Sequence, residues 1–146
     1  MTPAPGVAGV AVLVAVVFAV LSLLHVAWAV GLRVGSARAI PERDGVPLFE
    51  PGPFATLAVA ALLLLAALVV TQRAGLGRTL LPAPLVGPGC WAVSVALVAR
   101  AVGEFRFVGF FKRVRDTEFA RMDSRYYSPL AFLLGVGAGL VALLAS

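Results

Sequence analysis

Val7–Gly31 reads VAGVAVLVAVVFAVLSLLHVAWAVG, a stretch in which Ser22 and His25 are the only strongly polar side chains. At 1.5 Å of rise per helical residue, about 20 such residues cross the roughly 30 Å hydrocarbon core of a bilayer. The stretch is long enough to span and is apolar on every face, unlike a surface helix of a soluble protein. A cleaved signal peptide is the competing explanation, because Ala27-Trp28-Ala29 has the A-x-A form. The leader Met1–Gly6 carries no Lys or Arg, however, and the apolar run exceeds the about 7–15 residues of a signal-peptide core. A retained first span over about 7–31 is expected.

Three further blocks follow. Arg33–Gly52 holds six charges together with Pro41, Pro47 and Pro51, which predicts a solvated connection ending at the helix-start signal Pro51-Gly52-Pro53. A second span is expected over about 54–72, then a short turn marked by Gly75, Gly77 and Pro82, then a third span over about 85–104. Pro88 is compatible with the first turn of that helix. The apolar run Phe105, Phe107, Val108, Phe110 and Phe111 leaves its far end open. After the charged stretch Lys112–Arg125, a fourth span runs over about 128–145, led by Pro129. With 61% hydrophobic and 13% charged residues, against about 25% charged in soluble proteins, a water-soluble fold of 146 residues could not hide so much apolar surface. Mean hydropathy of +1.01 agrees. The fold class expected is an all-α membrane protein, a four-transmembrane-helix bundle forming one integral membrane domain over 1–146.

Charge sets the orientation. Arg33–Gly52 carries three Lys or Arg and Arg100–Tyr127 carries seven, so ten of the twelve lie in the first and third loops; Arg73 and Arg78 occupy the second. The positive-inside bias then places the first and third loops in the cytoplasm and both termini outside, as a multi-pass protein of a bacterial-type inner membrane. The net charge of +5 and pI near 10.7 do not indicate nucleic acid, because the basic residues are confined to loops whose topology explains them. Cys90, the only cysteine, excludes an intramolecular disulfide and a Cys-based metal cluster. No cofactor or metal is expected. Small residues recur at four-residue spacing in Ala27-Gly31-Gly35 and Ala131-Gly135-Gly139, a pattern that lets helices approach closely within one chain or in a homo-oligomer.

Six polar or aromatic residues converge on the cytoplasmic leaflet: His25, Trp28, Arg100, Glu104, Asp123 and Tyr127. His25 and Trp28 share a helix face, where they suit either a structural histidine beside an interfacial anchor or a proton carrier. Arg100 and Glu104 have the spacing of an intrahelical ion pair; alternatively Arg100 holds an anionic group and Glu104 serves as an acid. Asp123 suits a helix cap, with Tyr126 and Tyr127 at headgroup level. His25, Arg100 and Asp123 are expected to form one group, centred on the five donors of Arg100.

His25-x-x-Trp28, Arg100-x-x-Gly103, Phe119-x-x-x-Asp123 and Tyr127-Ser128-Pro129-Leu130 resemble a family of small bacterial four-helix membrane proteins catalogued as a domain of unknown function. The likeness covers nearly the whole chain. Members of that family often carry cysteine after the Ser-Pro-Leu triplet, where this chain has Ala131, so a role for that thiol does not transfer. The resemblance implies the fold and a membrane location, with no activity, substrate or cofactor attached.

The chain has no Gly-rich phosphate loop, H-E-x-x-H, C-x-x-C or G-x-S-x-G, and its single histidine cannot form a bis-histidine haem site. Three functions remain. One is a binding protein holding a lipid-like or apolar small molecule with a polar head at the cytoplasmic cluster. Another is an acid–base isomerase or cyclase with Glu104 or Asp123 as acid and His25 as base. The last is a small proton-coupled transporter using His25.

Overall fold

The computed structural model of the chain describes residues 5–145 and contains four helical stretches long and apolar enough to cross a membrane. They are α1 (Pro5–Ala29), α2 (Pro53–Arg73), α3 (Ala83–Val102) and a continuous rod over Glu118–Leu144. The rod comprises α4 (Glu118–Met122), one π turn (Asp123–Tyr127) and α5 (Ser128–Leu144). The chain is therefore an all-α membrane protein built on four spanning helices. Met1–Ala4 and Ser146, and with them both termini, lie outside the described residues.

The helix limits differ from those read off hydropathy for local reasons. α1 stops at Ala29 because Gly31 turns the chain at φ 96°. There Gly31 N–H bonds the Trp28 carbonyl and Leu32 N–H bonds the Ala27 carbonyl, the paired bonds of a Schellman stop. α3 stops at Val102, so Glu104 lies beyond the helix rather than in its last turn. Proline occupies the first turn of α2 and α3, where its missing N–H removes no intrahelical bond. Pro129 instead follows the π turn within the rod, and Pro88, expected in a first turn, lies inside α3 because that helix already starts at Ala83. The first loop, expected to be a plain solvated connection, contains a small hairpin: β1 (Glu42–Arg43) pairs antiparallel with β2 (Val46–Pro47). Its turn residues Asp44 and Gly45 have φ 53° and 76°, as a type I′ turn requires.

α1 packs along α2 and α3 along α5. Ser22 Oγ donates to the Ala60 carbonyl at 2.8 Å across the first pair, and Ser94 Oγ donates to the Gly135 carbonyl at 2.8 Å across the second. Hydroxyls without water take their partners from the facing backbone. The two pairs then meet over one buried core: Val7, Ala11, Val14 and Phe18 of α1, Ala66, Ala67, Val69 and Val70 of α2, Cys90 of α3, and Leu134, Ala138, Val141 and Ala142 of α5. These residues lie at mid-bundle or toward the α2–α3 turn. At that end Arg73 Nη2 also donates to the Ala142 carbonyl at 2.9 Å, near the negative end of α5. Toward the hairpin, the buried positions of α1 and α2 are Ser22, Thr56 and Ala60, and they do not belong to the shared core.

Only one of the two small-residue stripes is a packing face. A Cβ added at Gly135 would meet Val98 Cγ2 at 2.9 Å and Leu97 Cβ at 3.1 Å, and one at Gly139 would meet Ser94 Oγ at 2.8 Å, so Ala131-Gly135-Gly139 seats α5 on α3 within the chain. Ala27-Gly31-Gly35 is not a helical stripe, because α1 has ended before Gly31. Gly135→Ala is accordingly expected to destabilise the bundle by about 1–3 kcal/mol through overpacking. Gly9→Ala, with nothing within 4 Å of the new methyl, should be neutral or stabilising by up to about 1 kcal/mol. Thermal unfolding in detergent compares the two, and equal melting temperatures would contradict this account of the α3–α5 contact.

Candidate functional site

Asp123, 0% exposed, opens the π turn through which α4 passes into α5. That turn is wider than an α turn, and Ser128 N–H bonds the Asp123 carbonyl five residues back. The carboxylate accepts from every side. Oδ1 takes Arg100 Nη2 at 2.7 Å; Oδ2 takes Lys112 Nζ, Ser128 Oγ and Gly109 N–H, each at 2.9 Å. All four partners donate, so the group is held as an anion. Lys112 is buried as well, its side chain 1% exposed, and its ammonium also donates to the Gly109 carbonyl at 2.9 Å and Ser124 Oγ at 2.7 Å. Three donors meet three acceptors, and no buried charge is left unmatched at Lys112. Arg100 differs: its side chain is 35% exposed, and its second bond, to Ser128 Oγ, is long at 3.5 Å. Two cations and one carboxylate leave the cluster with a net positive charge, displayed through Arg100.

The loop following α3 is folded to reach this anion. Gly103 (φ 89°) and Gly109 (φ 94°) cross with their backbones in contact: a Cβ on Gly103 would fall on the Val108 carbonyl, and one on Gly109 would strike Gly103 itself. The crossing is closed by Phe110 N–H bonding the Ala101 carbonyl at 2.8 Å. Glu104 stands inside the turn, where Oε1 accepts from the N–H groups of Phe107 and Val108, the latter at 3.1 Å. Phe105 is held at φ 68°, a left-handed conformation costing about 1–2 kcal/mol for a non-glycine residue.

The six residues read from the sequence lie at one end of the bundle but not in one group. Arg100 and Asp123 pair, with the carboxylate rather than the guanidinium at the centre. The expected Arg100–Glu104 pair does not form, because helical spacing no longer applies once the helix has ended at Val102. Nor does His25 join them: its Nδ1 lies 2.8 Å from the Leu21 carbonyl, which can only accept, so Nδ1 carries a hydrogen and bonds its own helix. Trp28 packs against His25, ring centroids 4.9 Å apart and tilted by 58°, and donates from Nε1 to the Val34 carbonyl at 2.7 Å, fastening the chain beyond α1. Tyr127 Oη donates to the Arg38 carbonyl at 3.3 Å and joins the first loop to the third. The Arg38–Glu118 pair at 2.7 Å and the Glu118 N–H to Glu42 Oε1 bond at 2.8 Å strengthen that junction.

His25 and Arg100 each continue a helix face that packs elsewhere in the bundle. Val14 of α1 abuts Gly137 of α5, and His25 stands about three helical turns further along, on the same face. Gly89 of α3 abuts Val69 of α2, and Arg100 stands about three turns beyond it. Both side chains thus project from faces that elsewhere join the two helix pairs. Both are half-buried, at the level where the shared core has ended.

Lys112, Ser128 and the Gly109 N–H are the partners that sequence reasoning missed. The signal for Lys112 was the apolar run Val108-Gly109-Phe110-Phe111 directly before it, which makes full solvation of its stem unfavourable. Asp123→Asn should cost about 3–5 kcal/mol, because it strips a buried ammonium of its counter-charge. Asp123→Asn combined with Lys112→Met should recover part of that loss. Glu118→Gln, which breaks a pair with side chains 60% and 48% exposed, should cost no more than about 1 kcal/mol. Detergent unfolding of the unaltered protein, these three variants and Lys112→Met alone measures the coupling, and additive losses from Asp123→Asn and Lys112→Met would refute it.

Among the described residues, no group of His, Cys, Asp or Glu has the arrangement of a metal site. No curated protein and no solved structure matched the chain. Residues 18–138, which include the whole Asp123 cluster, match the family described as Protein of unknown function (DUF3995). With that match covering most of its length, the chain belongs to the DUF3995 family.

Proposed function

We propose that this protein binds an amphiphile, an apolar molecule with an anionic head, in the leaflet on the side of the hairpin loop. The observation that carries the proposal is the mismatch between packing and charge along the bundle. The buried core shared by the two helix pairs ends near mid-bundle, and Arg100 stands beyond it, one-third exposed in a cluster of net positive charge. An acyl or isoprenoid chain would lie between the α1–α2 and α3–α5 pairs, its head against the free edge of the Arg100 guanidinium, which suits a carboxylate or phosphate. His25 would line the same space from α1.

Catalysis fits less well. Asp123 is saturated with donors and Glu104 holds the backbone of its own loop, so neither carboxylate can act as an acid without dismantling the structure around it. Binding requires no such change. Ten of the twelve Lys and Arg residues lie at this end, in the two loops and the helical segments that flank the second of them. The positive-inside bias would place that end in the cytoplasm of a cell with an inner membrane, and the start of α1 and the end of α5 outside.

Two outcomes are expected. In neutral detergent, an anionic single-chain amphiphile at about a hundredfold excess over its dissociation constant should stabilise the protein by about 2.7 kcal/mol. A neutral amphiphile of the same chain should not, and Arg100→Gln should lose the difference; equal stabilisation of the unaltered protein by both amphiphiles overturns the binding proposal. For orientation, a cysteine at Ser36 should be shielded from a membrane-impermeant thiol reagent in intact cells and one at Gly77 should react, the reverse result inverting the topology.

A further inference from the structure

We propose that the loop 103–112 is itself a membrane-inserted element that grips the anionic phosphates of the adjoining leaflet. This contact rests on residues other than Arg100 and His25. Within seven residues of one loop, Phe105, Phe110 and Phe111 are 54%, 40% and 61% exposed, more apolar surface than a short loop shows to water without a reason. They cannot fold inward. The Gly103–Gly109 crossing, the Glu104 bonds to the Phe107 and Val108 N–H groups, and the anchoring of Gly109 and Lys112 on Asp123 fix the loop from within.

The depth of the loop follows from one contact. Phe110 packs edge-on against Phe132, ring centroids 6.3 Å apart at 72°, and Phe132 is 43% exposed on the membrane-spanning α5. A ring lying on a lipid-facing side chain near the start of a spanning helix sits at the acyl–headgroup boundary, where amphipathic segments bury their apolar face. The surface of the loop is thus continuous with the lipid-facing surface of α5.

The charge of the loop selects the lipid. Arg113 N–H bonds the Arg106 carbonyl at 3.1 Å, so the two arginines are neighbours where the loop closes. Both are exposed, and neither forms an ion pair among the described residues. The Arg106 guanidinium lies 5.0 Å over the Phe107 ring, a cation held beside apolar surface. Two unpaired guanidinium forks flanking inserted phenylalanines match a leaflet that presents phosphates above acyl chains. Neutral zwitterionic headgroups carry no net charge to attract them, whereas an anionic leaflet does.

Nitroxide labels on Phe105→Cys and on Phe111→Cys test this in vesicles of phosphatidylcholine with or without phosphatidylglycerol. Asp44→Cys at the hairpin tip serves as the aqueous reference, and the unsubstituted protein controls for the buried Cys90. In phosphatidylglycerol vesicles, relaxation by oxygen relative to a water-soluble nickel chelate should be several-fold higher at both loop positions than at position 44. That ratio should fall in pure phosphatidylcholine, and Arg106→Gln with Arg113→Gln should abolish the difference between the two lipids. Labels as accessible to nickel as position 44 would overturn insertion. Equal depth in both lipids, or a lipid difference unchanged by the two arginine substitutions, would overturn the phosphate contact. Neither result touches the amphiphile binding proposed at Arg100, which is read by stabilisation in detergent.

Discussion

The buried carboxylate of Asp123 joins segments that hydropathy leaves unconnected: the end of α3 through Arg100, the following loop through Gly109 and Lys112, and the start of α5 through Ser128. Withdrawing such a group from water costs several kcal/mol, which only a full set of donors offsets. The donors come from three directions, so the chain must bring all three segments to one point. That requirement accounts for the less favourable local features around it. The crossing of Gly103 and Gly109 aims the Gly109 N–H, the left-handed Phe105 lets the loop reverse, and the π turn brings Ser128 within reach of the carboxylate it follows. Each would be a defect in isolation. Around one buried anion they are mutually required.

The two halves of the bundle are therefore held by different physics. Toward the α2–α3 turn, Val, Ala and Leu side chains interlock, with the Ser94 hydroxyl and the Cys90 thiol bonded to facing carbonyls. Dispersion and close approach of small residues do this in lipid, where burial of apolar surface gives little driving force. Toward the hairpin, cohesion comes from ions and loop bonds: Asp123 inside, and Arg38, Glu118, Glu42 and Tyr127 outside. The end packed through apolar side chains and the end tied by polar contacts together set the helix spacing.

Much of this was legible in the sequence, in proportion to how far each feature depends on composition rather than on contact. The spans followed from apolar length, and Arg100 with Asp123 followed from topology, since antiparallel helices bring the end of the third to the start of the fourth. The hairpin had a local signal in Asp44-Gly45, overlooked because the surrounding charges and prolines read as solvated coil. Lys112 was hidden for the opposite reason. A lysine beside Arg113 and Arg115 has the look of a hydrated charge, and only the folded loop shows that its ammonium is enclosed. Glu104 was misplaced by one wrong boundary: two extra residues of helix turn a loop carboxylate into an ion-pair partner. His25 was expected to need a partner from another helix, yet a carbonyl one turn back on its own helix sufficed.

The cluster sets two cations on one carboxylate. Lys112, Ser128 and Gly109 all donate to Oδ2 with almost no exposure, and among the described residues Arg100 alone donates to Oδ1. Arg100 is thus both a required donor and the second cation on that carboxylate. It spends one nitrogen on Asp123 and leaves the rest of its fork partly open, at the level where the helix pairs share no buried core. The neighbouring carboxylates do not neutralise it: Glu104 is turned to the loop backbone and Glu118 to Arg38. In a low-dielectric setting the excess positive charge of such a cluster attracts an anion more strongly than the same charge would in water. The excess positive charge of the cluster is the property on which the proposed binding of an anionic amphiphile rests.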